Sequence, residues 1–266
     1  MNIDKQIAII KNIIPEIITN ILKIYKQSFE INIKSDNSPV TEADLISNSI
    51  IINTIKKYFP DDMILSEETK DDIKRVEEEE VWIIDPLDGT KEFIKKNDEF
   101  SVNIAFVKNK EPLFGFVIFP AFNFYYFAKK NQGAYFVDLK NNQIEQIKCS
   151  KVEKLEEAKL VISKSHKTKF EEEIIKNLKI KNFYEIGSAL KICKIADGSA
   201  DFYIRNAPLN EWDICAAHII LLEAGGYLTD FINKEITYNN KITKISSGII
   251  CSNKILHNTI LELLQN

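Results

Sequence analysis

The feature that most restricts the fold is a change of rhythm near the middle of the chain. Residues 100–107, 113–119, 124–129 and 134–137 are short apolar or aromatic runs separated by turn residues, which predicts strands joined as an antiparallel sheet. From about residue 150 the pattern alternates instead. Strands are expected at 159–162, from Phe183, at 201–204, at Tyr227-Leu228 and at Ile249-Ile250, and helices at 167–178, 188–196, 211–224 and 256–264. The chain is therefore read as α/β: an α+β half over residues 1–150 with an antiparallel sheet, and an α/β half over 151–266. At 266 residues it is long enough for two such halves with a sizeable core, and no linker or repeat separates them, so they are expected to share an interface.

Ahead of the sheet, Ile9, Ile13, Ile17, Ile21 and Ile24 recur at helical spacing, with Pro15 expected to kink that helix or delay its start. The polar stretch Ser35-Asp36-Asn37-Ser38 leads to Thr41, which fits the N-cap of a second helix running to about Tyr58. Met63-Ile64-Leu65 reads as a short strand, and the charged run 70–80 as a solvated loop. The dense aromatics between Phe114 and Phe127 fit a sheet core better than a base-stacking platform.

Net charge is −4, which opposes a nucleic-acid partner, whose footprint would be a basic patch. The four cysteines lack CxxC spacing, so neither a disulfide framework nor a zinc site is expected. The N-terminus has no signal-peptide pattern and the longest apolar run is too short to span a bilayer. A cytoplasmic location is expected, with peripheral membrane association left open. His218 and His257 are read as structural, because no nitrogen-ligand cluster surrounds them.

The densest chemical signal is Trp82-Ile83-Ile84-Asp85-Pro86-Leu87-Asp88-Gly89-Thr90, an apolar strand that stops at two carboxylates three positions apart. Carboxylate and carbonyl oxygens suit Mg²⁺, and Gly89 permits close backbone approach to a ligand. By itself Asp85 fits a tight turn or a helix N-cap equally well. Glu67 follows a strand, Asp44 sits in the first turn of a helix, and Asp213 opens an apolar helix. Each alone fits a surface acid or a helix-dipole partner. Together, acids at several element ends could converge on a site where two cations clamp attacking and leaving oxygens.

In chain order, Val40-Thr41-Glu42-Ala43-Asp44, Leu65-Ser66-Glu67-Glu68, residues 82–90, Glu211-Trp212-Asp213 and Glu223-Ala224-Gly225-Gly226 resemble the motifs of the inositol monophosphatase superfamily of Mg²⁺-dependent, lithium-inhibited phosphatases. The resemblance covers essentially the whole chain and implies a layered αβαβα sandwich. Ser163-Lys164-Ser165-His166, Gly187-Ser188-Ala189-Leu190-Lys191 and the segment Asp201-Phe202-Tyr203-Ile204-Arg205 are most similar to the 3′(2′),5′-bisphosphate nucleotidase branch of the CysQ type. The chain carries Ala189, Ile204 and Ala207 where that branch usually has Ser, Pro and Gly.

The resemblance implies the following roles. Asp85 bridges two Mg²⁺ ions, with a third ion allowed. Glu67 and the Leu87 carbonyl complete one metal site, and Asp88 and Asp213 the other. Thr90, hydrogen-bonded to Asp44, orients and helps deprotonate the attacking water, with Glu67 also counted in the catalytic set. Leu87, Asp88, Gly89, Thr90 and Asp213 meet the scissile phosphate. Ser163, His166, Ser188, Lys191 and Arg205 face the nucleotide, with Lys191 or Arg205 available to a 5′-phosphate. The implied reaction is hydrolysis of the 3′-phosphate of adenosine 3′,5′-bisphosphate, with 3′-phosphoadenylyl sulfate a second substrate and a place in sulfur metabolism. The alternatives are an inositol monophosphate or sugar phosphate as substrate, or a non-catalytic regulator on the same fold. A small-molecule nucleotide is the expected partner, and a homodimer is compatible with the resemblance.

Overall fold

Alternating burial along the central strands decides the layering. A computed structural model describes residues 3–34, 39–165, 168–177, 180 and 182–265. The stretch 35–38, His166 and the expected helix residues Lys167 and Leu178 lie outside the described residues.

Helix α1 (Ile3–Tyr25) leads through strands β1 (Ile31–Ile33) and β2 (Pro39–Thr41) to α2 (Glu42–Tyr58). Next come β3 (Met63–Ser66), β4 (Glu80–Asp88), α3 (Thr90–Ile94), β5 (Ser101–Lys108), β6 (Glu111–Phe119), β7 (Phe124–Lys129), β8 (Ala134–Asp138) and β9 (Gln143–Ile147). The second half continues with β10 (Lys159–Ser163), α4 (Lys169–Asn177), β11 (Asn182–Ile186), α5 (Leu190–Ala196) and β12 (Phe202–Arg205). It ends with β13 (Leu209–Asn210), α6 (Glu211–Glu223), β14 (Tyr227–Thr229), β15 (Lys244–Ile245), β16 (Ile249–Ser252) and α7 (His257–Gln265).

Strands β3 to β9 form a seven-stranded sheet in chain order, antiparallel except for the parallel β3–β4 pair. A five-stranded sheet of order β11-β10-β12-β16-β14 is parallel over its first three strands. In the large sheet, Trp82, Ile84, Ile104 and Phe116 face α1 and α2, whereas Ile83, Ala105 and Val117 face α5 and α6. In the small sheet, Val161, Tyr203 and Cys251 share that second core, and Leu160, Phe202 and Ile250 face α4 and α7. The period-2 alternation thus yields an αβαβα stack, as expected. One core cluster joins the two sheets through α5 and α6.

Helix α6 is apolar around most of its circumference, which suits a helix buried between two sheets. It lies in a trough of small side chains. Ala105, Gly115, Ala128 and Ala134 are successive partners across β5, β6, β7 and β8. A Cβ built on Gly115 would stand 2.7 Å from the Ala216 carbonyl oxygen of α6 and 2.8 Å from Ile219 Cγ2. The aromatic run is core, as read: Phe114, Phe116 and Phe119 are fully buried.

Three local expectations are corrected. Helix α1 does not start late at Pro15: it runs from Ile3 to Tyr25 with the proline inside it. An interior proline costs about 3 kcal/mol, and each buried isoleucine returns about 1.5–3 kcal/mol, so Ile10, Ile14, Ile17 and Ile21 outweigh it. The charged run 70–80 is not simply solvated, because it contains a 3-10 turn (Ile73–Glu77) whose Arg75 is fully buried. That guanidinium is held by Asp71 at 2.7 and 2.9 Å and by Asn239 Oδ1 at 2.8 Å. Helix α5 begins at Leu190 rather than Ser188, because Ser188 adopts a left-handed backbone with φ 47°. Among the described residues no helix is long and apolar enough to cross a membrane.

Candidate active site

Strand β4 brings its two aspartates to one side by a register shift. Asp85 pairs with Asn103 and Asp88 with Ser101, so three steps along β4 match two along β5. Without the extra residue, Asp85 and Asp88 would point to opposite faces; the β-bulge at Pro86-Leu87 aligns them. Gly89 follows with φ 88°, a left-handed turn that glycine adopts at no steric cost, and caps α3.

Backbone donors hold one oxygen of each aspartate. Leu87 N–H donates to Asp85 Oδ1 at 3.0 Å, Ala189 N–H to Asp88 Oδ2 at 2.6 Å, and Asn210 N–H to Asp213 Oδ2 at 2.7 Å. The last contact belongs to a capping box at the start of α6. Thus a strand, a loop from the second half and a helix N-terminus orient the three carboxylates. Behind them Thr90 Oγ1 lies 3.2 Å from Asp44 Oδ1 and 3.3 Å from the Leu87 carbonyl. Asp44 Oδ2 accepts from Thr41 N–H and Oγ1 at 2.8 and 2.6 Å, closing the capping box of α2.

Asp85, Asp88, Asp213 and Glu67 line one cavity of about 440 Å³ with Leu87, Gly89, Thr90, Ser163, Ser188, Lys191 and Arg205. Asp44 is nearly fully buried and reaches that cavity only through Thr90. His166 lies outside the described residues. The structure therefore gathers the described sequence candidates at or immediately behind a single cavity.

Electrostatics define what the cavity lacks. Burial raises the Asp85 carboxyl well above the usual range, and the charges of Glu67, Asp88 and Asp213 raise it further. Asp213 and Asp88 also move upward, in each case chiefly through burial. For Asp213 the Asp88 charge adds to the shift, while for Asp88 the ammonium of Lys191 opposes it. Lys191 is lowered by burial. So many carboxylates out of bulk water call for a compensating cation. The donors on offer are hard oxygens, five carboxylates including Glu92 and the Leu87 carbonyl, with no imidazole or thiol among the described lining residues. That set fits Mg²⁺ or another hard divalent ion.

Among the described residues no three acidic, imidazole or thiol side chains are drawn together closely enough to hold an ion as they stand. Glu67 is engaged by Lys34, whose Nζ ion-pairs with Glu67 Oε1 at 2.9 Å and with Glu68. Sequence reading missed Lys34, because it directly follows a three-residue strand (Ile31–Ile33) too short to stand out as a pattern. It also missed Glu92 and Tyr203 in the cavity wall. Tyr203 alternates correctly for a strand residue facing the cavity side, so its period-2 position was the available signal.

The comparisons with known proteins agree with this geometry. The inositol monophosphatase family pattern matches residues 3–266. The chain is 35% identical over 219 residues to the 3′(2′),5′-bisphosphate nucleotidase CysQ of Escherichia coli strain K12, covering 81% of this chain and 85% of that protein. CysQ from Bacteroides thetaiotaomicron, described as a bacterial member of the inositol monophosphatase family, superposes with a TM-score of 0.75 at 34% identity, covering 90% of this chain and 93% of that one. An IMPase of Thermotoga maritima superposes with a TM-score of 0.82 at 28% identity, covering 99% and 97%. A match over this length, joined to an αβαβα stack whose acids meet at one cavity, places the chain in the inositol monophosphatase family.

Proposed function

We propose that the protein is a Mg²⁺-dependent phosphatase that hydrolyses the 3′-phosphate of adenosine 3′,5′-bisphosphate to AMP and phosphate, with 3′-phosphoadenylyl sulfate as a further substrate. The observation that carries this reading is the mixed lining of the cavity. The carboxylates that suit cations share it with Lys191 and Arg205, two cations available to a second phosphate. The CysQ relatives support the same choice of substrate.

Glu67, Asp85, Asp88, Asp213 and the Leu87 carbonyl would hold two or three Mg²⁺ ions. When bound, these ions would lower the pKa of a coordinated water and neutralise phosphate charge. Thr90 Oγ1 would orient the attacking water toward phosphorus. Its contact with Asp44 gives the water proton a route to a carboxylate whose proton affinity burial raises. Gly89 and Thr90, at the start of α3, would steady the phosphate oxygens. Attack forms a new phosphorus–oxygen bond as the bond to the ribose 3′ oxygen breaks, and that oxygen leaves with a proton from solvent. Ser163, Ser188, Lys191 and Arg205 would hold the nucleotide.

The test is phosphate release with and without Mg²⁺ across adenosine 3′,5′-bisphosphate and inositol 1-phosphate. The proposal expects Mg²⁺-dependent turnover that favours the nucleotide. Turnover of inositol 1-phosphate well above the nucleotide would move the substrate choice to the inositol phosphates.

A further inference from the structure

Arg205 ends β12 in the cavity wall, yet only 8% of it is exposed. Behind it, outside the cavity lining, stands Glu171 of α4, 2% exposed. Its Oε1 lies 3.7 Å from Arg205 Nη1 and has no hydrogen-bond donor among the described residues. Its Oε2 accepts from Thr168 N–H at 2.5 Å. A buried carboxylate with one oxygen spent on its own helix start and the other turned to a guanidinium is an unusual expense for a surface helix.

The placement of α4 depends on the same strand. Ile174 packs in one cluster with Phe202 and Ile204 of β12. Phe170 stacks on Phe231 at 5.7 Å, and Thr168 Oγ1 lies 3.4 Å from Asn206 Oδ1 just past Arg205. Helix and strand therefore fix the separation of Glu171 and Arg205 from both sides. At 3.7 Å the pair is an ion pair and longer than a hydrogen bond, so what Glu171 supplies to the guanidinium is its charge.

We propose that Glu171 is a positioning residue: it holds the Arg205 guanidinium toward the cavity and so sets selectivity for substrates with a second phosphate. This rests on the bisphosphate reading above. Without the Glu171 charge the guanidinium is less restricted and more of its ordering falls to the substrate, which raises KM for the doubly phosphorylated substrate. A substrate without that phosphate never uses the tether.

The experiment measures kcat and KM for adenosine 3′,5′-bisphosphate and for adenosine 3′-monophosphate, with Mg²⁺, in the wild type, Glu171→Ala, Glu171→Gln, Glu171→Asp, Arg205→Met and the Glu171→Ala/Arg205→Met double variant. The ratio of kcat/KM values, bisphosphate over monophosphate, should fall about tenfold in Glu171→Ala, carried by KM, as a misplaced contact group costs. Glu171→Gln keeps the shape but removes the charge and should fall about as far as Glu171→Ala, whereas Glu171→Asp keeps the charge nearby and should fall less. In the Arg205→Met background, Glu171→Ala should add nothing to the loss of selectivity.

An unchanged ratio in Glu171→Ala, an equal loss for both substrates, or a full effect without Arg205 would overturn the inference. If Glu171→Ala does not fold, Glu171→Gln decides: a wild-type ratio in Glu171→Gln overturns the inference. A wild type that turns over both nucleotides equally would overturn the bisphosphate reading and this inference with it. A wild type that discriminates, with variants that discriminate equally well, would overturn this inference alone.

Discussion

Replacing Gly115 by alanine tests how the fold positions the site. The added Cβ would lie 2.7 Å from the Ala216 carbonyl oxygen, 2.8 Å from Ala216 Cα and 2.8 Å from Ile219 Cγ2. Ordinary carbon contacts need about 3.5 Å, so α6 must move away from the sheet by roughly 0.7 Å. Two of the three clashing atoms are helix backbone, which no rotamer change relieves. Overpacking of this kind costs about 1–3 kcal/mol, and the smaller unfolded-state entropy of alanine returns about 0.4–1 kcal/mol. A net loss of about 1–2 kcal/mol is expected in urea unfolding. Asp213 rides on the same helix, three residues before Ala216. Site geometry tolerates about 0.5 Å, so the shift should also lower kcat for phosphate release by about tenfold. Gly115→Ala with wild-type stability would refute the close approach of α6 to β6. Lost stability with unchanged kcat would refute the mechanical link from the trough to Asp213.

Three further outcomes follow from named contacts. Burial lowers His218 to about 4 from 6.5, so the folded state binds its proton less readily than the unfolded state does. Its contribution is fully present above about pH 6.5 and is lost as pH falls toward 4, amounting to about 2 kcal/mol at pH 5. The stability gap between wild type and His218→Phe in urea should therefore shrink by about that amount between pH 7.5 and 5, and a constant gap would contradict the burial. Arg75→Met strips Asn239 of a buried partner at 2.8 Å and should cost about 3 kcal/mol in the same assay; a loss under about 1 kcal/mol would mean that the network is replaceable. Thr90→Val removes the hydroxyl beside Asp44 and should lower kcat by about 100-fold with little change in KM, and a KM-dominated effect would point to binding instead.

Much of this architecture was readable because its causes are local. The period-2 runs of β5, β6 and β7 and the apolar sweep of α6 are properties of neighbouring residues. The acid-bearing strand end was visible for the same reason. What escaped depends on partners far along the chain. The alignment of Asp85 with Asp88 follows from register against Asn103 and Ser101, which no reading of residues 82–90 alone can supply. Arg75 sits in a run whose charge argues for solvent, and its burial depends on Asn239, 164 positions away. Glu211 is fully buried because the Asn239 and Asn240 backbones donate to it at 2.7 and 2.9 Å. Helix α3 is five residues long, too short for a periodic signal. Ser188 was drawn into a helix because left-handed serine is rare and has no sequence mark.

The central claim is that the buried carboxylates around Asp85 exist to hold divalent cations. Calorimetric titration of the metal-free protein with Mg²⁺, alongside Asp85→Asn, addresses it without any substrate. The account predicts saturable binding by the wild type and at least about a 100-fold weaker affinity once the Asp85 charge is gone, as loss of a metal-site group commonly costs. No saturable binding by a folded wild type, or equal affinity in Asp85→Asn, would contradict it.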